Sequence, residues 1–256
     1  MTPAISPNAD YEEGLKAFVG SVLGRVKPNP VLTELQAHAE PIAWFGALNG
    51  ASLVTLKFTA PGVPDLYQGN EALDLSLVDP DNRRPVDYAA RRRMLDDAQA
   101  LAQRADWRGG LTDLASTAPD GRLKFWLTWR LLQLRTAYPV LYRDGRYAAL
   151  EADGPRAEHV VAFARELADE EGAGVAPQAA VTLAARFHAK LLGGQRGLPV
   201  GAPWAGTSVA TTAWPDGTRL RNALTGETLS VEGGRIDIAR AFATLPVAVL
   251  VAASDA

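Results

Sequence analysis

Apolar residues recur along this chain first at helical spacing and later in short alternating runs, and the change falls near residue 143. From Asp10, a candidate cap followed by Glu12 and Glu13, the residues Leu15, Phe18, Val19, Val22 and Leu23 form one stripe. Gly24 and the run Lys27-Pro28-Asn29-Pro30 stop it, leaving residues 1–9 as a loose leader. A second helix is expected over about 31–48 with Leu32, Leu35 and Ile42 inward and Pro41 as a candidate break. The apolar run 51–59 fits a buried strand or a helix tail equally well.

Helical patterns return at about 86–106 and 120–138. In the second, Leu123, Trp126, Leu127, Leu131 and Leu134 share a face and Pro139 marks the end. Beyond Tyr142 short runs at 146–150, 159–164, 180–186, 218–222, 227–231 and 247–252 alternate with turn signals such as Asp-Gly at 144–145 and 216–217. That pattern predicts an antiparallel β domain over 143–256 and a mostly helical part over 1–142. The stretches 106–120 and 187–216 carry no readable pattern.

Between them, 61–85 is dense in Pro, Gly, Asp and Asn but also holds Val63, Leu66, Tyr67, Leu73, Leu75, Leu77 and Val78. A loop this long in a compact protein is usually functional or disordered, and its apolar content argues for order.

Composition removes several classes of function. There is no cysteine, hence no disulfide, thiolate metal site or cysteine nucleophile. A net charge of −3 gives no electrostatic case for nucleic acid or anionic lipid. No run reaches the roughly 18 apolar residues of a membrane span, and the start lacks the form of a signal peptide, so a cytoplasmic location is expected. The three histidines, His38, His159 and His188, have no metal spacing, so no metal site is expected. Adjacent carboxylates at Glu12-Glu13, Asp96-Asp97 and Glu170-Glu171 read as solvated surface. Arginine outnumbers lysine 21 to 5, with local clusters only at Arg83-Arg84 and Arg91 to Arg93.

The long loop concentrates the remaining chemistry. Tyr67, Gln68 and Glu71 place a ring, an amide and a carboxylate within one short stretch; Asp79, Asp81, Asn82, Arg83 and Arg84 add acceptors and fork-shaped donors between prolines. Planar hydrogen-bonding groups beside an aromatic face suit sugar hydroxyls. Composition alone favours a plainer reading, in which Asp79–Arg83 or Asp81–Arg84 are ion pairs bracing the loop. Trp204 and Trp214 sit among Gly, Pro and Thr, and packing under a loop suits them better than stacking on a glycan.

The same loop resembles a segment of the maltooligosyl trehalose synthase family, isomerases of the α-amylase superfamily. The superfamily pattern Pro-Gly-x-Pro-x-x-Tyr-x-Gly-x-Glu is matched at Pro61, Gly62, Pro64, Tyr67, Gly69 and Glu71. The run 74–87, Asp-Leu-Ser-Leu-Val-Asp-Pro-Asp-Asn-Arg-Arg-Pro-Val-Asp, resembles the synthases more narrowly. Pro28 to Leu48, Leu123 to Pro139 and Gly145 to Arg165 resemble flanking helices and the entry to the C-terminal β domain. The resemblance implies an α/β fold: the end of an incomplete (β/α) TIM barrel, with the loop following the eighth barrel strand, then an antiparallel β-sandwich domain. It implies rearrangement of the terminal α-1,4 link of a maltooligosaccharide to an α,α-1,1 link in trehalose biosynthesis, with a maltooligosaccharide or α-glucan as ligand and no cofactor, nucleic acid or membrane.

The superfamily's catalytic motifs, which carry an Asp nucleophile, a Glu acid and a further Asp, have no match here. A full barrel needs roughly 250 residues. The resemblance therefore implies a C-terminal portion without catalytic residues, inactive unless a separate N-terminal polypeptide supplies them. In that reading Tyr67, Gln68, Glu71, Asp79, Asp81, Asn82, Arg83 and Arg84 bind or position substrate. A non-catalytic glycan-binding module and a degenerate fragment with exposed barrel edges are the alternatives.

Overall fold

The computed structural model describes residues 8–24, 28–104, 106–167 and 179–253. Residues 1–7 of the leader expected over 1–9, Lys27 and the pair Glu170-Glu171 lie outside them, whereas Asn8 and Ala9, also assigned to the leader, cap and open the first helix. The chain divides into two compact units, 1–44 and 45–256.

The first unit holds α1 (Ala9–Leu23) and the beginning of α2 (Pro30–Thr59). Asn8, rather than Asp10, caps α1 by accepting from the Tyr11 amide at 3.1 Å. Asn29 closes the following turn: its Oδ1 accepts from Leu32 N at 3.0 Å and its Nδ2 donates to Val22 O at 2.8 Å and Gly24 O at 2.9 Å. The α1 residues Leu15, Phe18, Val19 and Leu23 are exposed, and so are Leu35 and Ile42, which the sequence reading placed inward. Pro41 does not break α2. The carbonyl of Ala37, which loses its helical donor there, lies on an exposed residue open to solvent.

In the second unit the tail of α2 decides the ambiguity at 51–59. Ala47, Leu48, Ala51, Val54, Thr55 and Phe58 are buried while Leu53 and Lys57 are exposed, which is helical and not alternating periodicity. Thr55 and Thr59 donate their hydroxyls to the carbonyls four residues back, at 2.8 and 2.7 Å, so these polar groups stay satisfied in the buried face. The loop therefore follows a helix, not the barrel strand that the resemblance placed before it. After 60–87, interrupted by a single 3-10 turn at Asp81–Arg83, come α3 (Tyr88–Ala102), α4 (Arg108–Ser116), α5 (Arg122–Ala137) and α6 (Pro139–Asp144). Pro139, expected as a terminator, does follow the end of α5 at Ala137, and it also opens α6, because a first helical position needs no amide donor.

Strands begin immediately afterwards: β1 (Arg146–Ala149), β2 (Ala152–Asp153), β3 (Val160–Glu166), β4 (Ala179–Ala185), then α7 (His188–Leu191), β5 (Ser208–Ala210), β6 (Arg219–Asn222), β7 (Thr228–Ser230), β8 (Arg235–Asp237), α8 (Ile238–Ala241) and β9 (Val247–Ala252). They form a six-stranded sheet in the order β1-β3-β4-β9-β6-β7 and a three-stranded sheet β2-β5-β8. Every recorded pairing is antiparallel, and no described residue before Arg146 lies in a strand. Ala162, Leu183, Leu220 and Leu250 of the larger sheet share one buried cluster with Val209 and Ile236 of the smaller. Trp204 is wholly buried there, edge-on to Phe242 at 5.1 Å, and its indole donates to Pro199 O at 2.6 Å. Trp214 is buried as well, so both tryptophans pack and neither offers a face to a glycan.

On the opposite face of β3, buried Arg165 donates to Gly145 O at 3.2 and 2.7 Å, to Tyr142 O at 3.2 Å and to Thr59 O at 3.4 Å. One guanidinium thus joins the ends of α2 and α6 to the sheet. Trp126 and Arg130 of α5 make a second joint, donating to Leu224 O at 3.0 Å and Ala223 O at 2.9 Å. Arg130 lies 4.7 Å from the Trp107 ring centroid.

Candidate functional site

The loop is built on two turns. In the first, Tyr67 O accepts from Asn70 N at 3.0 Å and Gly69 takes φ +89°. A Cβ at Gly69 would lie 3.3 Å from Val86 Cγ2, so both the backbone angle and the space call for glycine. Arg91 of α3 holds this turn by donating from Nη2 to Gly69 O at 2.9 Å. Asp87 caps the same helix, accepting from Ala90 N at 2.9 Å.

The second turn spans 77–84. Asp81 Oδ2 accepts from Leu77 N at 2.7 Å, and its Oδ1 accepts from Arg84. Asp79, which precedes a cis Pro80, takes a two-pronged contact from Arg83 at 2.5 and 2.6 Å. Asp74 accepts from the amide of Ser76 at 3.0 Å and from its hydroxyl; those bonds, the hydroxyl first, hold the Asp74 carboxyl below the usual range. Both ion pairs named from the sequence therefore exist, and both brace the loop.

A groove of about 480 Å³ lies between the turns, with Gln68, Asp81, Asn82 and Arg84 on its wall together with Asp74, Ser76 and Arg91. Four of the eight residues named from the sequence thus meet in one place. The other four do not. Glu71 lines a separate recess of about 230 Å³ beside Tyr88, Arg91 and Phe125. Tyr67 is 45% exposed and lines neither space. Asp79 and Arg83 spend their polar groups on each other and lie outside both cavities.

Arg91 is the member that sequence reasoning missed. It lines both spaces, and its Nε lies 3.8 Å from Glu71 Oε2, too far for a hydrogen bond. Both atoms are buried without a hydrogen-bond partner, as is Asn82 Oδ1. The arginine cluster at 91–93 was the available signal; which of its three members turns inward depends on the phase of α3. Behind the loop, Lys124 donates to Ala72 O at 2.9 Å. Burial, and then Lys57 nearby, push the Lys124 ammonium below its ordinary value.

The groove presents carboxylates, two amides and guanidinium groups, which suits a polyhydroxylated ligand better than a charged one. Among the described residues, no cluster of three or more His, Asp or Glu side chains could hold a metal ion, and no helix is long and apolar enough to cross a membrane. A further cavity of about 340 Å³, between α3, α4 and α5 and floored by Leu101, Phe125 and Trp126, contains none of the eight site residues named from the sequence.

No protein-family profile matches the chain. Its helices and antiparallel sheets do match a class of solved enzyme structures. The maltooligosyltrehalose synthase of Arthrobacter ramosus superposes with a TM-score of 0.71 and 31% identity, covering 98% of this chain and 28% of that one. Another maltooligosyl trehalose synthase, at 22% identity and a TM-score of 0.60, shares the fold. In sequence, the putative maltooligosyl trehalose synthases of two Mycobacterium tuberculosis strains are each 39% identical over 160 residues, which is 62% of this chain and 18% of theirs. The chain is homologous to part of a maltooligosyl trehalose synthase, and it spans about a fifth of the length of the curated relatives it matches.

Proposed function

We propose that this chain is a C-terminal portion of a maltooligosyl trehalose synthase: an incomplete barrel end over 1–142 and a β-sandwich-like domain over 143–256. It contributes one wall of a glucan site to the conversion of a terminal α-1,4 link into an α,α-1,1 link. The observation that carries the reading is the coincidence of two facts. The loop whose residues resemble the synthases folds into an ordered groove, and 98% of the chain superposes on a synthase at a TM-score of 0.71. Gln68, Asp81, Asn82 and Arg84 contact the sugar in this proposal. Asp79 and Arg83 fix the turn that presents them, while Tyr67 and Glu71 flank the groove.

The nucleophile and acid that a retaining mechanism needs come from outside this chain, from a separate N-terminal polypeptide. The alternative, a glycan-binding module without chemistry, keeps Tyr67 as its exposed ring and loses the buried Trp204 and Trp214. A degenerate fragment is disfavoured by the continuous buried cluster that joins the two sheets. The test is to incubate maltopentaose with the chain, with a polypeptide comprising the rest of a synthase, and with both, following the loss of reducing ends. Only the mixture should rearrange the sugar. Activity of the chain alone, or an inactive but assembled mixture, would refute the proposal.

A further inference from the structure

One face of α3 borders three spaces in succession. Arg91 lines both the groove of about 480 Å³ and the recess of about 230 Å³. Leu95, one turn on, lines the recess, and Ala98 and Leu101 line the cavity of about 340 Å³ between α3, α4 and α5. These four positions recur at helical spacing, so the series extends over about 15 Å of the helix. The spaces also share walls. Arg91 stands between groove and recess, and the Phe125 ring of α5 stands between recess and cavity.

The chemistry repeats from one space to the next. The groove sets carboxylates and guanidinium groups beside two amides. The recess adds Tyr88, whose ring is 56% exposed, to Glu71, Arg91 and Arg92 over apolar Leu95 and Phe125. In the cavity, exposed Asp97, Arg104 and Asp113 surround an apolar base of Met94, Leu101 and Phe125. Each lining mixes both signs to within one charge of neutrality. Such linings favour neither an anion nor a cation; they suit a neutral ligand with hydroxyls at its rim and C–H groups on its face. Like sites in series suit a ligand that repeats.

We propose that the recess and the α3–α5 cavity are two further sugar-binding positions, which continue the groove along α3 so that one long α-1,4-glucan chain spans all three. The inference rests on the functional reading above and adds the course of the substrate beyond the groove. Pyranose faces lie on Tyr88, Phe125 and Leu101, while Arg92, Asp97, Arg104 and Asp113 take the hydroxyls at the edges. A chain already held in the groove meets the later positions at high effective concentration, so contacts that are weak singly add affinity with length.

The experiment titrates the full chain with maltotriose and with maltoheptaose by calorimetry. Maltoheptaose should bind roughly 10-fold more tightly. An Asp97→Ala/Arg104→Ala/Asp113→Ala variant should lose that gain and keep the wild-type affinity for maltotriose, because these residues line the cavity and neither of the other spaces. Its thermal midpoint should match the wild type, since the three side chains are exposed. Tyr88→Ala, in the recess, should reduce the gain severalfold. Gln68→Ala, in the groove, should weaken both sugars alike. Arg93→Ala, exposed on α3 and lining none of the spaces, serves as control and should bind both as wild type. Equal affinity of the wild type for the two sugars overturns the proposal, as does binding of neither, or a gain that survives in the triple variant. A gain that the triple variant loses, in a chain whose mixture with the rest of a synthase leaves maltopentaose unchanged, upholds the track and sinks the functional reading. A mixture that rearranges maltopentaose, with no gain from length in the chain, does the reverse.

Discussion

Lowering the pH should destabilise the second unit through one buried histidine. His188, the first residue of α7, is 1% exposed, and its Nε2 lies 3.3 Å from Ser52 Oγ on α2. The Ser52 hydroxyl donates to Ala185 O at 2.7 Å, so its oxygen is left to accept and Nε2 carries the ring proton. Nδ1 is then the atom that a second proton must occupy, and it is buried without a partner. Burial first, and the neighbouring His159 second, push the His188 pKa down from 6.5 to about 4. The unfolded chain binds this proton more tightly than the folded one. The contribution of neutral His188 is therefore complete above about pH 6.5 and is lost as the pH falls toward 4, where it amounts to roughly 3 kcal/mol. Urea unfolding followed by tryptophan fluorescence, at several pH values between 7.5 and 4, measures this. His188→Gln is neutral throughout, and the carboxylates that titrate nearby, Glu158 among them, are common to both proteins. The stability difference between wild type and variant should shift by roughly 3 kcal/mol across that range. Parallel pH profiles would refute the reasoning.

Arg165→Met should cost about 3–5 kcal/mol in urea unfolding, because it removes a charged donor from two buried carbonyl groups, of Thr59 and Tyr142, and from the half-buried one of Gly145. Gly154 has φ +105°, and a Cβ there would lie 2.1 Å from Gly206 O, so Gly154→Ala should lower stability by about 3 kcal/mol or more; an unchanged thermal midpoint would contradict the geometry. Arg91→Lys keeps the charge but loses the fork that reaches Gly69 O. Amide exchange at Asn70 should rise severalfold, with global stability within about 1 kcal/mol of wild type.

Legibility from sequence followed the length of the signal. The α5 stripe and the runs that became β1, β3, β4, β6 and β9 were readable because apolar periodicity persisted over enough residues, while β7, with three, was readable from the Thr-Gly and Gly-Gly turns that flank it. Strands β2, β5 and β8, of two or three residues, are too short to show a period. Residues 51–59 were undecidable because periodicity in a short apolar run does not separate strand from helix, and only the exposure of Leu53 and Lys57 settles it. The expected barrel strand ahead of the loop came from the resemblance and met the same segment. Burial of Leu35 and Ile42 failed for another reason: an apolar stripe states that a face wants cover, not that cover is present. In the site, the bracing pairs were visible from their i, i+3 and i, i+4 spacing. Arg91 was not, because Gly69 and Asp87 define its place and Gly69 is 22 residues away.

The larger sheet ends in stubs. β1 has four residues and begins with exposed Arg146, tied to Glu166 at 2.6 Å; β7 has three and begins with exposed Thr228. Ladders so short offer an incoming chain too few backbone groups to extend a cross-β stack. Concentrated solutions should therefore form no fibrils and give no thioflavin fluorescence.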